Sequence, residues 1–304
     1  MSAALQPLGI RVDVDTHEGM RKGVPRLLEI FDRAGVRATF YFAMGPDRSG
    51  RAIFQALRPG FLAKMRRTGA ARVYGWRTIL SGTLLPSRPV ATAFPEIARR
   101  AKAEGHETGV HAWDHRSWQD RLLRFSDRRV EKELSLGRSA YREIFGEQPA
   151  TFAAPAWFTD ERALLIQESF GLSFASDCRG TEPFLPVVRG KSLATPQVPS
   201  TLPTLDEALG WTHKEAGAFF RSMAEEAARG GWPVLTVHAE LEGGPYAPQF
   251  EEFLGGCRAL GLAPVALGEL LALRRIRGTS LPAGRIELRP VPGRHGLLAT
   301  QAPA

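Results

Sequence analysis

Short apolar runs rich in β-forming residues alternate along this chain with segments in which apolar residues recur at helical spacing. Residues 9–14 have the composition of a strand, and Val24, Leu27, Leu28, Phe31 and Ala34 then follow a helical period up to Gly35. The same patterns predict further strands near residues 38–42, 108–111, 151–153, 172–176, 234–237 and 263–265, and helices near 95–104, 128–145, 160–170 and 214–229. Short strands that alternate with helices predict an α/β fold with a parallel sheet, either open or closed into a barrel.

The chain is expected to form a single domain over residues 1–278, because neither a shift in composition nor a long linker divides it. Two segments do not follow the strand–helix pattern, a basic insert at residues 48–95 and a stretch rich in Pro, Thr and Leu at 181–207. Such long excursions from a scaffold often carry specificity. Residues 279–304 are rich in Gly, Pro and Arg and are expected to form a loose tail.

The composition is that of an ordinary soluble protein, with 43% hydrophobic and 24% charged residues. Its longest apolar runs are far shorter than the roughly 20 residues that span a bilayer. The first residues lack a basic start followed by an apolar stretch, so we expect no secretory signal and a cytoplasmic protein. Cys178 and Cys257 are too few for a disulfide framework or a thiolate metal site and are expected to be buried thiols.

The positive charge is concentrated in the insert. The chain has a net charge of +8, and residues 48–95 contain nine basic residues and neither Asp nor Glu. Four aromatic residues are interleaved with the basic ones, namely Phe54, Phe61, Tyr74 and Trp76. The segment is suited to bind a polyanion, either nucleic acid or an anionic membrane surface. The alternative is a solvated basic surface whose aromatic residues lie in the core.

Three predicted strands end in residues that can bind a metal or transfer a proton. Asp13 and Asp15 share one face of the first strand, where two like charges favour a nearby cation, although a helix N-cap or an exposed strand end would also explain them. His111 and His115 follow another strand with the His-x3-His spacing that suits one metal ion. His238 ends a third strand, and the carboxyl ends of parallel strands meet at one edge of an α/β barrel.

The order Asp-x-Asp, His-x3-His and Leu-x-x-His resembles the polysaccharide deacetylases, the family that includes chitin, peptidoglycan and nodulation-factor deacetylases. The resemblance covers nearly the whole domain and implies a distorted (β/α) barrel, of seven strands in many members, that binds one divalent metal ion. Zinc, manganese and cobalt all suit a mixed oxygen and nitrogen ligand set. By motif position the resemblance implies that Asp13 is the catalytic base and that Asp15, His111 and His115 bind the metal. It also implies that His238 is the general acid and that Leu235 forms part of an acyl pocket.

The match departs from the family in its third motif, which usually carries an arginine that braces the base. Residues 153–157 here are Ala-Ala-Pro-Ala-Trp, which keep only the proline and the aromatic residue, Trp157. Arg179 follows the next strand, and we hypothesise that it takes the place of the missing arginine. Asp177 matches the family residue that tunes the acid histidine.

The chain is more specifically similar to a branch of the family that removes a formyl group from a formamido sugar carried on undecaprenyl phosphate. The matching segments are GIRVDVDT, YGW, GVHAWDH, SDCRG, LPTLDE and VHAE. That branch serves the decoration of lipid A with aminoarabinose, which gives resistance to polymyxin-type peptides. The resemblance implies a polyprenyl-phosphate-linked substrate and an anionic membrane partner at the inner face of the inner membrane, rather than nucleic acid.

Residues of the insert are therefore expected to contact the membrane or the lipid phosphate, namely Arg58, Lys64, Arg66, Arg67, Arg72 and Trp76. Two other functions stay open, an N-deacetylase of another acetylated aminosugar and a non-catalytic polyanion-binding protein. Four histidines match no motif and are interpreted as structural or surface residues, namely His17, His106, His213 and His295. The oligomeric state is not predicted.

Overall fold

The computed structural model describes residues 5–50, 81, 86–277, 280–294 and 296–304. The strands are β1 Gln6–Val14, β2 Thr39–Phe42, β3 Glu107–Val110, β4 Thr151–Phe152, β5 Phe174–Ala175, β6 Leu185–Val188, β7 Lys191–Ser192, β8 Val234–His238, β9 Leu262–Val265, β10 Ala283–Pro290 and β11 Leu297–Pro303. The helices are α1 Val24–Ala34, α2 Pro95–Ala103, α3 His115–Arg121, α4 Asp127–Phe145, α5 Glu161–Ser169, α6 Leu205–Ala208, α7 Ala216–Ala228, α8 Ala247–Cys257 and α9 Leu267–Ile276. A π-helical turn, Gly19–Gly23, leads into α1.

Seven parallel strands form the main sheet, in the order β5-β4-β3-β2-β1-β8 with β9 paired to the first half of β1. The central strand, β1, places Asp13 opposite Tyr41 of β2 on one side and opposite His238 of β8 on the other. The alternating strand and helix pattern therefore predicted the parallel sheet correctly.

The segment at residues 197–202 lies between the two ends of the sheet and curls it into a distorted barrel. Val198 donates a backbone hydrogen bond to Ala175 of β5 at 2.8 Å, and Leu202 donates one to Val234 of β8 at 3.1 Å. An irregular segment thus stands where a regular barrel would have another strand.

The residues of β1 alternate between two environments. Ile10, Val12 and Val14 are fully buried in the main apolar core together with residues of the surrounding helices, such as Leu27 of α1. Since successive side chains of a strand point to opposite faces, Arg11 and Asp13 face the inside of the barrel.

The C-terminal residues differ from the expected loose tail. β10 and β11 form an antiparallel hairpin in a second sheet, of order β11-β10-β6-β7, and Leu298 and Ala299 are buried in it. The backbone of Arg179 also bonds the hairpin, donating to Ala299 and accepting from Gln301, both at 2.8 Å. The expectation was wrong because these strands pair with β6 and with Arg179, about a hundred residues earlier, and local composition does not report such partners.

The residues expected to contact the membrane lie outside the described part of the chain, namely Arg58, Lys64, Arg66, Arg67, Arg72 and Trp76. The flanks of the insert are described. Gly50 donates a backbone hydrogen bond to Ser81 at 3.0 Å, and Asp47 donates one to Arg88 at 2.8 Å. Both ends of the insert are thus held together just after β2. Among the described helices, none combines the length and apolarity needed to cross a bilayer.

Candidate active site

The five motif residues meet at the carboxyl edge of the main sheet. Asp13 lies near the end of β1 and Asp15 directly after it, while His238 is the last residue of β8. His111 follows β3, and His115 is the first residue of α3. The parallel strands bring these side chains together from positions more than two hundred residues apart in the chain.

Three of these residues form a set that can hold one metal ion. One ligand atom from each of Asp15, His111 and His115 lies within 4.8 Å of the others. Nε2 of His111 lies 3.3 Å from Oδ1 of Asp15, and Nε2 of His115 lies 3.3 Å from Oδ2 of the same carboxylate. Two imidazoles and one carboxylate are a ligand set typical of zinc and other divalent transition metals, and such a set leaves further positions on the metal open.

The hydrogen bonding of His111 fits a cation at this point. Its Nδ1 lies 2.8 Å from the carbonyl oxygen of Ala153, which can only accept, so Nδ1 carries the proton and Nε2 presents a lone pair. Among the described residues, Nε2 of His111 and Oδ1 of Asp15 are buried without a hydrogen-bond partner. Two buried acceptors that face each other are unfavourable unless a positive ion lies between them, so the residues fit a divalent metal.

The second histidine is positioned by Asp114, whose role the sequence patterns did not reveal. Its carboxylate caps α3 by accepting a hydrogen bond from the backbone of Ser117 at 2.9 Å. Arg48, at the start of the basic insert, donates to the other oxygen of this carboxylate at 2.5 Å. This cap could have been recognised in the sequence from the spacing Asp-x-x-Ser at the start of the helix.

The base candidate Asp13 is braced by Arg11, two residues earlier on the same face of β1. Both side chains are buried, and Nε and a terminal nitrogen of Arg11 donate to the two oxygens of Asp13 at 2.7 and 2.8 Å. Burial raises the pKa of Asp13, but the charge of Arg11 and its hydrogen bonds outweigh burial and leave the pKa below its usual value. Asp13 is therefore held ionised, as a proton acceptor must be.

The acid candidate His238 lies among carboxylates. Burial lowers the pKa of this imidazole, but the negative charges of Asp206, Asp15, Asp13 and Glu242 outweigh burial and raise it above the usual value. Its backbone N–H donates to Glu242 at 2.8 Å, and its Nδ1 is buried with no hydrogen-bond partner in the described part of the chain. The arrangement favours the protonated imidazole, which can donate a proton.

Arg179 does not take the position that we hypothesised for it. Its guanidinium donates to both oxygens of Glu207, at 2.9 and 3.1 Å, and to the carbonyl of Leu202 at 2.8 Å. The bracing arginine is Arg11, which the period-two alternation of β1 could have revealed because it shares a face with Asp13.

Two other residues also lie elsewhere than expected. The carboxylate of Asp177 accepts hydrogen bonds from Gln197 at 3.1 Å and Gln167 at 3.4 Å, while the charge with the largest effect on His238 is that of Asp206. Leu235 is fully buried in the main apolar core, on the face of β8 opposite to His238, so it does not line an acyl pocket.

Trp157 lies behind the base and is almost fully buried. The guanidinium carbon of Arg11 stands 5.3 Å from the centre of its ring, and that of Arg179 stands 4.9 Å away. Its indole N–H donates to Ser200 at 2.8 Å, and Ser200 in turn bonds Thr236 of β8 at 2.7 Å. The tryptophan thus links the strand of the base to the strand of the acid.

Comparison with known proteins agrees with this geometry. Residues 13–175 match the family described as polysaccharide deacetylase. A protein of Shewanella sediminis named as a probable 4-deoxy-4-formamido-L-arabinose-phosphoundecaprenol deformylase is 36% identical over 97% of this chain and 94% of its own length. A protein of the same name from Wigglesworthia glossinidia brevipalpis is 34% identical over 93% of this chain and 98% of its own.

Solved structures share the fold. A putative polysaccharide deacetylase of Mycobacterium smegmatis superimposes with a TM-score of 0.63 at 19% identity, over 96% of both chains. A probable polysaccharide deacetylase of Pseudomonas aeruginosa PAO1 gives a TM-score of 0.61 at 14% identity, over 90% of this chain and 92% of its own. At these identities the likeness concerns the fold alone.

Proposed function

Because this chain belongs to the polysaccharide deacetylase family, an amide-hydrolysing family, we propose that it is the deformylase of 4-deoxy-4-formamido-L-arabinose carried on undecaprenyl phosphate. The observation that carries the hydrolytic part is the meeting of a metal-ligand triad, a carboxylate braced by Arg11 and the histidine that ends β8 at one edge of the sheet. The substrate is proposed from the names of two relatives that match almost the whole chain. The product would serve the decoration of lipid A and so resistance to polymyxin-type peptides.

In this reaction the residues of the chain divide the proton transfers between them. Asp13, held ionised by Arg11, takes a proton from the attacking water, and His238 gives a proton to the departing sugar nitrogen. A divalent ion bound by Asp15, His111 and His115 would polarise the formyl carbonyl and make water more acidic. Formate and a free amine result. Zinc, manganese and cobalt are the ions that we propose for the site.

We also propose that the basic insert binds the anionic inner face of the inner membrane and brings the lipid phosphate to the site. The flanks of the insert are joined just after β2, whose carboxyl end lies at the edge that carries the motif residues. Each well-placed basic residue would add about 1 kcal/mol near such a surface, with a strong dependence on salt. If the purified protein did not bind anionic liposomes at low salt, this part of the proposal would be wrong.

The test of the function is to incubate the metal-loaded protein with the formamido sugar on a polyprenyl phosphate and to measure formate and free amine. We expect both products from the wild type and neither from Asp13→Asn at unchanged metal content. Acetate release from N-acetyl sugars without formate release would support the alternative N-deacetylase. No reaction with either substrate, together with retained binding of anionic lipid, would support a non-catalytic polyanion-binding protein.

A further inference from the structure

Two of the three metal ligands lie beyond the ends of the strands that lead to them. β1 ends at Val14, one residue before Asp15, and β3 ends at Val110, five residues before His115. The hydrogen bonds of the sheet therefore do not by themselves fix either side chain. A metal site needs its ligands held to within about 0.5 Å of the right geometry, so other contacts must hold these two segments.

The flanks of the basic insert, residues 43–50 and 86–91, bond the segment just after the first metal ligand. The backbone N–H of His17 donates to the carboxylate of Asp47 at 3.0 Å. Nδ1 of His17 donates to the carbonyl of Pro89, which can only accept, at 2.6 Å. His17 and Asp47 are both buried, so water does not compete for these hydrogen bonds. Both flanks thus hold the chain two residues beyond the first ligand.

The flank after β2 also bonds the segment between the two histidine ligands. Met44 donates a backbone hydrogen bond to Ala112 at 3.1 Å, and Gly45 donates one to Trp113 at 2.9 Å. Ala112 has a φ of 65°, which residues other than glycine rarely adopt and which persists only where the surroundings support it. The two chains touch, since a Cβ on Gly45 would lie 2.7 Å from the ring of Trp113. The flank therefore supports the unusual backbone between the histidines.

A side chain of the same flank completes this contact. A terminal nitrogen of Arg48 lies 2.5 Å from one oxygen of Asp114, whose other oxygen accepts the backbone N–H of Ser117 at 2.9 Å. Asp114 is 2% exposed and directly precedes His115, the first residue of α3. A buried carboxylate without its cation is unfavourable, so Arg48 stabilises the cap of α3 and, through it, the position of His115.

The two flanks are bonded to each other, so both ligand segments are held by one unit. Val90 donates a backbone hydrogen bond to Gly45, and Asp47 donates one to Arg88, both at 2.8 Å. Asp47 therefore bonds the first ligand segment with its carboxylate and the second flank with its backbone. Arg48, the next residue, bonds the other ligand segment.

We propose that the flanks of the insert position the metal ligands, with Asp47 and Arg48 as the positioning residues. Asp47 acts on the segment of the first ligand, and Arg48 acts on His115. Because the flanks hold the ligands, a bound ion in turn stabilises the flanks. The proposal rests on the proposed function only in that the ligand triad binds an ion.

The test compares the dissociation constant of zinc in variants of the full-length protein, measured by competition with a chromogenic chelator. Loss of a contact that orients a metal ligand costs about 10–100-fold in metal affinity, so we expect Asp47→Ala and Arg48→Gln each to weaken zinc binding about tenfold or more. Arg48→Lys keeps the charge and should recover part of the affinity.

Two matched controls should bind zinc as the wild type does. Glu168→Ala removes a carboxylate that, like Asp47, accepts two backbone N–H groups, but on α5. Arg33→Gln breaks an exposed ion pair with Glu251 between α1 and α8. Equal losses of affinity in the controls would contradict a specific role of the flanks.

Two further measurements separate positioning from a general loss of stability. The visible absorption of the cobalt-loaded protein reports the geometry of the ligands, and we expect it to change in Asp47→Ala and Arg48→Gln but not in the controls. Hydrogen exchange needs no variant. In the wild type, zinc should slow the exchange of the backbone N–H groups of His17 and Asp47 and leave that of Ala194, which bonds Glu168, unchanged.

Zinc affinities within about twofold of the wild type in folded Asp47→Ala and Arg48→Gln would overturn the proposal. If neither variant folded, exchange at His17 and Asp47 that zinc does not slow would overturn it alone. Formate release by the wild type with unchanged zinc affinity in both variants would refute the positioning and leave the proposed function standing. The expected affinities in a protein that releases no formate would refute the proposed function and leave the positioning standing.

Discussion

The buried pair between Arg11 and Asp13 gives the sharpest test of how this site is built. Arg11 is fully buried and Asp13 is 2% exposed, and two charge-assisted hydrogen bonds of 2.7 and 2.8 Å join them. Arg11→Met leaves the aspartate buried without its partner, and breaking a buried pair in this way costs about 3–5 kcal/mol. A typical domain has only about 5–15 kcal/mol of stability, so we expect a folded but much weakened protein.

Replacing both partners should recover part of this loss, because no uncompensated charge then remains in the barrel. We expect Arg11→Met with Asp13→Asn to be more stable than Arg11→Met alone by about 2 kcal/mol. It should not reach the wild type, since Arg11 also donates to the Ser176 carbonyl at 2.5 Å and lies 5.3 Å from the ring of Tyr41.

The assay is urea unfolding of the metal-free protein at pH 7, followed by circular dichroism, for the wild type, both single variants and the double variant. The coupling energy of the resulting cycle isolates the pair. A loss below about 1 kcal/mol for Arg11→Met, or a double variant no more stable than that single variant, would refute the reasoning.

Three further predictions concern pH, packing and metal binding. His106 accepts a hydrogen bond from the backbone of Ala38 at 3.1 Å, and its pKa is lowered to about 4, first by burial and then by Arg37. The folded state therefore binds a proton on His106 less readily than the unfolded state does. The resulting stability, up to about 3 kcal/mol, is fully present above pH 6.5 and is lost as the pH falls to about 4. In urea unfolding, the free energy of unfolding of His106→Phe should not show this decrease at acid pH. A Cβ on Gly23 would lie 2.0 Å from the Ala239 carbonyl oxygen, so Gly23→Ala should cost more than about 2 kcal/mol in thermal or urea unfolding. His111→Ala should lose the bound divalent metal in elemental analysis, whereas Asp13→Asn should keep it and lose turnover.

Each of these changes has a matched control or a contrary result. Gly255→Ala in α8 meets nothing within 4 Å and should be neutral or stabilising, so an equal loss in both glycine variants would contradict the clash. An unchanged acid slope in His106→Phe would show that another group controls that pH range. Full metal content in His111→Ala would place the ion elsewhere.

The sequence was sufficient to predict the parallel sheet and the meeting of Asp13, Asp15, His111, His115 and His238 at one edge. These predictions succeeded because strand and helix periods are local and because parallel strands end at the same edge. The role of Arg11 was missed although its position on the face of Asp13 is a local signal. The sites of Arg179 and Asp177 depend on partners far along the chain, Glu207 and Gln197, which no local pattern reports. The C-terminal strands were missed for the same reason.

The central position of β1 has a consequence for how the protein is made. Strand β1 pairs with β8 along one edge and with β9 along the first half of the other edge, so Gly9 meets Val234 and Gln6 meets Leu262. Until those two strands have been synthesised, the parts of β1 that pair with them present free backbone hydrogen-bonding groups beside apolar side chains such as Ile10 and Val12. Pairing between such distant segments makes folding slow and exposes nascent chains to aggregation. The yield of folded protein in a cell should therefore depend on chaperones that protect the amino-terminal strand while the rest of the chain is translated.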